Sequence, residues 1–222
     1  MGYAVLFSGG KDSNYALYLS KKENKDIKLL LSAFPEEDSY LFHHVNIEIV
    51  DLQAKSMNLP LYKFYTNTKK ELEDLEKVIY EIKKDYNITG IVCGVIKSKF
   101  QYERIRKICE KFKLDFYTPL WQINEKEYIK NLIDNKFEVL ISGFFAYPFK
   151  KELLGKILNY SILEELEELN NLYGINIAGE GGEIETTVLY QPLFKKKIIV
   201  DSYEIIIGEN YGIFKIKKAH LE

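Results

Sequence analysis

The chain has 222 residues, with 31 Lys and Arg against 33 Asp and Glu for a formal net charge of −2, and 46% of its residues are apolar. That length carries a core without staples, and its two cysteines, Cys93 and Cys109, form neither a disulfide framework nor a paired zinc-ligand spacing. Balanced charge argues against a broadly basic nucleic-acid surface, no apolar run reaches the roughly 18 residues of a membrane span, and Met1-Gly2 opens without a charged signal-peptide start, so a soluble cytoplasmic protein is expected.

In chain order, the runs YAVLF (3–7), IKLLLSAF (27–34), LPLYKFY (59–65), ITGIVCG (88–94) and LDFYTPLW (114–121) alternate with charged stretches. This rhythm predicts βαβ units and an α/β fold: a doubly wound, Rossmann-like, five-stranded parallel sheet. Thr68 with Glu71, and Ser98 with Gln101, have the spacing of a capping box and mark two helix starts. In the second helix Ile105, Ile108 and Phe112 share one face, while Arg104, Arg106, Lys107 and Lys111 take others. After Trp121 the pattern changes. Asn124 with Glu127 opens a short helix, 137–147 reads as a strand, 161–174 is an acidic amphipathic helix ending at Gly174, and strand-like segments 197–209 and 211–219 flank a turn at Asn210. The expected division is residues 1–123 for the parallel sheet and 124–222 for a smaller α+β lobe.

Ser8-Gly9-Gly10-Lys11-Asp12-Ser13 lies between the first apolar run and the helix-like NYALYLSKK. Two glycines let backbone N–H groups turn inward as a nest, and the helix that follows adds a partial positive charge worth about 0.3–1 kcal/mol to an exposed anion. Lys11 adds a charge, and Ser8 and Ser13 add hydroxyl donors. Asp12 would repel a phosphate unless it holds Mg²⁺ against it. The alternative is a tight turn in which Asp12 or Ser13 caps the helix. The spacing is neither Walker A nor G-x-G-x-x-G.

Set before a helix in this way, SGGKDS resembles the loop of the pyrophosphate-loop ATPases. Two further segments narrow the resemblance: Gly94-Val95-Ile96-Lys97-Ser98-Lys99-Phe100-Gln101 followed by Arg104, and Tyr173-Gly174-Ile175-Asn176-Ile177-Ala178-Gly179-Glu180-Gly181-Gly182-Glu183-Ile184-Glu185-Thr186. Both are similar to motifs of the diphthine–ammonia ligase family, and the glutamate-glycine stretch is the most specific. With SGGKDS they extend the resemblance over nearly the whole chain. Departures are Ile177, where the family usually has proline, and the His43-His44 pair after Ser39-Tyr40-Leu41-Phe42, where it has one histidine.

The resemblance implies an adenine-nucleotide alpha-hydrolase-like domain that uses ATP and Mg²⁺ and cleaves between the α and β phosphates. It implies catalytic roles for Lys11, Asp12, Glu183 and Glu185, with Asp12 holding Mg²⁺ together with the ATP phosphates. ATP contacts are implied for Ser8, Gly9, Gly10, Lys11, Asp12, Ser13, Ser32, Ala33, Phe34, His43, Gly94, Ser98, Gln101 and Arg104. Substrate contacts are implied for Asn176, Gly179, Glu180, Gly181, Gly182, Glu183, Glu185 and Thr186. The implied substrate is the diphthine form of translation elongation factor 2, amidated by ammonium to diphthamide with release of AMP and pyrophosphate.

The same residues also have plainer readings. Ser98 and Gln101 cap a helix, Arg104 is one of several helix arginines, and His43 and His44 are helix-entry residues with no metal-ligand spacing to the cysteines. Ser32, Ala33 and Phe34 read equally as core or as the carboxyl edge where doubly wound sheets bind ligands. A strand starting at Ile184 would put Glu183 and Glu185 on one face. Diphthine carries a quaternary ammonium group, so Glu180, Glu183 or Glu185 with an aromatic such as Phe144, Phe145 or Tyr147 is expected to receive that cation or the ammonium nucleophile. A glutaminase domain would add roughly 200 residues, and residue two is Gly2 rather than a nucleophilic cysteine, so free ammonium is the expected donor. Competing readings are a tRNA-modifying adenylating enzyme and a nucleotide-sensing module without turnover.

Overall fold

The computed structural model describes residues 2–35, 45–67 and 70–222. Its first sheet is wholly parallel, with β1 (Gly2–Leu6), β2 (Asp26–Pro35), β3 (Leu61–Thr66), β4 (Ile88–Val92) and β5 (Asp115–Tyr117) in the order β3-β2-β1-β4-β5. The expected doubly wound, Rossmann-like sheet is therefore present. β5 is shorter than its apolar run. Pro119 has no N–H to give a ladder, and Thr118 instead accepts a turn bond from the Trp121 N–H at 3.1 Å.

Alternation along the strands sorts side chains to the two faces. Ala4, Leu29, Leu31 and Ile91 pack in one cluster with Leu75, Ile79 and Ile82 of α3 (Glu71–Asp85) and Ile108 of α4 (Lys99–Lys111). Ile105 and Phe112 join Ile108 there, as the helical spacing predicts. Tyr3, Val5, Leu30 and Val92 instead join Tyr15, Ala16 and Leu17 of α1 (Lys11–Lys22) and Val50, Ala54 and Met57 of α2 (Val50–Met57). Ser98 caps α4 by accepting the Gln101 N–H at 3.3 Å. The cap expected at Thr68 lies outside the described residues, as does the His43-His44 pair.

The second part of the chain contains α5 (Glu125–Asp134), α6 (Tyr160–Tyr173) and an antiparallel sheet of β6 (Glu138–Phe144), β7 (Ile184–Tyr190), β8 (Ile198–Ile207) and β9 (Gly212–Leu221), ordered β7-β6-β9-β8. Asn124 and Asn159 cap α5 and α6 through their side chains, and left-handed Gly174 ends α6. One apolar cluster runs unbroken from Val5, Leu17 and Val50 to Tyr128, Leu140, Leu163 and Val188, so both sheets share a core.

Gln53 of α2 spans the junction. Fully buried, it donates from Nε2 to the Gly9 carbonyl at 2.9 Å and the Val188 carbonyl at 2.7 Å. Gln53→Ala would remove one of the two donors to the Gly9 carbonyl and the amide donor to the Val188 carbonyl, and denaturant unfolding is expected to show a loss of about 2 kcal/mol. An unchanged midpoint would show that the junction does not depend on this amide.

Candidate functional site

Strand order reverses between β1 and β4, where open α/β sheets present a crevice at the carboxyl ends of their strands. A cleft of about 260 Å³ opens there. Ser8, Gly10, Lys11, Asp12 and Ser13 form its floor, Gly94, Gln101 and Arg104 one wall, and Gly179, Glu180, Gly181, Gly182, Glu185 and Thr186 another. Leu31, Ala33, Phe64, Leu72 and Leu75 line an apolar end.

The floor is a built turn. Gly9 has φ +83, in the left-handed region, and a methyl there would also lie 3.0 Å from Gln53 Oε1. Its carbonyl accepts the Val188 N–H at 3.1 Å as well as the Gln53 amide. The Lys11 N–H donates to Thr186 Oγ1 at 3.2 Å, so β7 and the turn meet directly. Gly10, the N-cap of α1, has no side-chain cap. N–H groups in a helix's first turn lack intrahelical partners; that of Lys11 is met by Thr186, and the others are of the kind that suits an anion. Ser8 and Ser13 hydroxyls lie 3.3 Å apart. Gly94 closes over this turn, where a methyl would stand 2.7 Å from the Asp12 backbone.

Lys11 is buried and lies 3.0 Å from the Asp12 carboxylate, which also accepts the Tyr128 hydroxyl at 2.8 Å. Burial, reinforced by Asp12, holds Tyr128 well above the usual tyrosine value, so it stays a donor. Arg104 stacks its guanidinium on Phe100, 3.0 Å from the ring centroid, and its buried Nη1 has no hydrogen-bond partner among the described residues. A buried, unpaired cationic donor lining a cleft fits an anionic ligand.

The three loop glutamates take different places. Glu180 accepts from the Ile96 N–H at 3.1 Å and from the Lys97 N–H at 3.0 and 2.9 Å, pinning the loop after β4. Glu183 accepts from the Asn176 N–H at 3.0 Å, within its own loop. Glu185 lines the cleft. Asn176 Oδ1 accepts the Glu180 N–H at 3.3 Å. Gly9, Ser32, Phe34, Ser98, Asn176 and Glu183 lie off the cleft lining; Ser32 is fully buried and donates to the Phe7 carbonyl at 2.6 Å. His43 lies outside the described residues. Tyr128 and Glu125 emerge only from the structure. Glu125 pairs with Lys97 and accepts the Ile177 N–H at 3.1 Å, bridging both walls' loops. Tyr128 shares the apolar face of α5 with Ile129 and Leu132, which reads as core.

Burial raises Glu180 above the usual glutamate value of 4.5, against the lowering effect of the Lys97 and Ile96 N–H groups. A raised carboxyl contributes stability that is fully present below the unfolded value and lost as pH rises through the folded one. Denaturation midpoints from pH 4 to 7 are expected to show the stability of the native chain falling relative to Glu180→Gln as pH rises. A constant difference would contradict this.

The family profile of the diphthamide synthase N-terminal domain matches residues 1–115, and that of the diphthamide synthase C-terminal domain matches residues 124–221. A human diphthine–ammonia ligase is 34% identical over 93% of this chain and 85% of its own, and the mouse enzyme is 34% identical over 100% and 93%. A crystal structure of a predicted subunit of tRNA methyltransferase from Methanocaldococcus jannaschii is 17% identical, with a TM-score of 0.44, over 86% of this chain and 99% of that one. With both domains matched in order and relatives this similar along nearly the full length, the chain belongs to the diphthamide synthase, or diphthine–ammonia ligase, family.

Proposed function

We propose that this protein is a diphthine–ammonia ligase that activates the carboxylate of diphthine with ATP and amidates it with ammonium. The observation that carries the reading is that the Ser8–Ser13 turn and the Gly179–Thr186 loop open on one cleft. A carboxylate does not react with ammonia near neutral pH, because oxide is a poor leaving group. Attack of a carboxylate oxygen on the α-phosphorus gives an acyl-adenylate and pyrophosphate. Ammonia then adds to the acyl carbon and AMP leaves, with one proton released.

In this reading the α1 amide groups, the Ser8 and Ser13 hydroxyls and Lys11 hold the phosphates, and Arg104 takes the charge that its unpaired Nη1 awaits. Ala33 and the apolar end hold the base. Glu185 draws ammonium into the cleft and accepts its proton, while Glu180 and Glu183 hold the loops around it.

Asp12 fits a Mg²⁺ role. Its carboxylate stands at the helix entrance beside Lys11, and no cluster of three His, Cys, Asp or Glu side chains exists among the described residues, so the ion would complete its shell with phosphate oxygens and water. When bound, Mg²⁺ offsets charge on the departing pyrophosphate. The protein partner in this reading is translation elongation factor 2 in its diphthine form, met in the cytoplasm. Among the described residues no helix is long and apolar enough to cross a membrane.

The test is pyrophosphate release with ATP, ammonium and diphthine-bearing elongation factor, each omitted in turn. Release is expected only with all the components that adenylation needs, and amide only with ammonium as well. Asp12→Asn, which keeps an acceptor for Tyr128, is expected to lower AMP formation by about 100-fold or more with its melting transition retained. Release driven by tRNA instead of the elongation factor would overturn the reading.

A further inference from the structure

Next to the strand pair that carries Glu185 stands an exposed aromatic pair that the phosphate chemistry does not use. Phe145 follows β6 and Tyr211 precedes β9, and their rings lie nearly parallel, at 9°, with centroids 6.3 Å apart. Each is 41% exposed, far more than core packing requires. Backbone pairing sets the pair beside the site: Gly143 faces both Glu185 and Ile213, and the Phe145 N–H donates to the Glu183 carbonyl at 3.0 Å. A methyl on Gly143 would meet the Phe145 ring at 3.0 Å and the Glu185 Cβ at 3.3 Å. The Phe145 ring and the Glu185 Cβ therefore flank the space of a single methyl group.

Other aromatics of this lobe do not share that position. Phe144 is buried and packs where a methyl on Gly212 would stand, 2.5 Å away. Tyr147 meets Tyr173 edge to face at 5.3 Å, apart from the paired rings.

We propose that Phe145 and Tyr211 form the subsite for the quaternary ammonium group of the substrate, beside Glu185; this rests on the ligase reading above. A trimethylammonium has no N–H, so a hydrogen-bond acceptor offers it no directional bond, whereas aromatic faces attract it through their quadrupoles. Ammonium has N–H groups and suits the Glu185 carboxylate. The two cations of the reaction are thereby sorted by chemistry to neighbouring positions. Diphthine carries its trimethylammonium on the same carbon as the reacting carboxylate, so the cation subsite has to border the place where that acid meets the α-phosphate. Glu185, flanked by Phe145 and lining the nucleotide cleft, marks that border.

The experiment compares steady-state pyrophosphate release by the native enzyme, Phe145→Ala, Tyr211→Ala and the conservative pair Phe145→Tyr and Tyr211→Phe. Substrates are elongation factor bearing diphthine and its dimethylamino counterpart. Each alanine variant is expected to raise KM for the diphthine form about ten-fold while leaving KM for ATP within about two-fold, and to erase any preference over the dimethylamino form. The conservative variants are expected to restore the preference. Tetramethylammonium is expected to compete with the protein substrate in the native enzyme and to lose that effect in the alanine variants. Native activity with unchanged KM in both alanine variants, or a preference that survives them, overturns the subsite alone. Absence of diphthine-dependent release from the native enzyme overturns the ligase reading, and the subsite with it.

Discussion

The Gly9 carbonyl accepts two donors from outside its own turn, the Val188 N–H of β7 and the side-chain amide of Gln53, and the Lys11 N–H gives to Thr186. These bonds fix where the floor of the cleft stands relative to its wall. A turn between a buried strand and a helix has to satisfy its backbone groups somewhere. Here several are satisfied by the second sheet, and the helix entrance, which lines the cleft, carries no side-chain cap. The shared apolar core then makes the junction a packed surface instead of a flexible joint.

Charge in the cleft follows from that arrangement. Lys11 is buried at the turn with Asp12 as its partner, Tyr128 donates to the same carboxylate, and Arg104 is held over Phe100 with a buried N–H unpaired among the described residues. In the ligase reading these are the groups that would meet the polyphosphate. The carboxylates that would oppose a triphosphate are largely engaged: Glu180 is tied to backbone N–H groups of the loop after β4, and Glu183 to its own loop. Glu185 lines the cleft, and its Cβ stands across Gly143 from the Phe145 ring.

Much of this was legible in the chain. Apolar runs located β1 to β4 to within a few residues, because the central strands β1, β2 and β4 are largely buried on both faces and read as near-continuous hydrophobic segments, and the edge strand β3 still carries enough apolar residues to stand out. Ser98 and Asn124 announced their helices by cap chemistry alone. β5 was overlong in the reading because an apolar run does not show that Pro119 ends it. The Ser8–Ser13 turn stands out in the sequence because its residue types are unusual together. What could not be seen were the long-range bonds that assemble it. Gln53 reads as a solvated helix residue, Tyr128 as core, and Glu125 as an ordinary first-turn acid; their partners lie in other elements, and neither periodicity nor propensity carries that information. The glutamates were legible as a group, but the separate duties of Glu180, Glu183 and Glu185 depend on which backbone N–H groups the folded loops bring near. Tyr211 gave no signal, since its neighbour Phe145 is far away in sequence.

The central claim is that the turn holds ATP so that its α-phosphorus meets an acid from the second lobe. It is tested most directly by isotope transfer. With ¹⁸O in the diphthine carboxylate, amide formation is predicted to leave one labelled oxygen in AMP and none in inorganic phosphate. Label recovered in inorganic phosphate, as activation at the γ-phosphorus would give, contradicts the account.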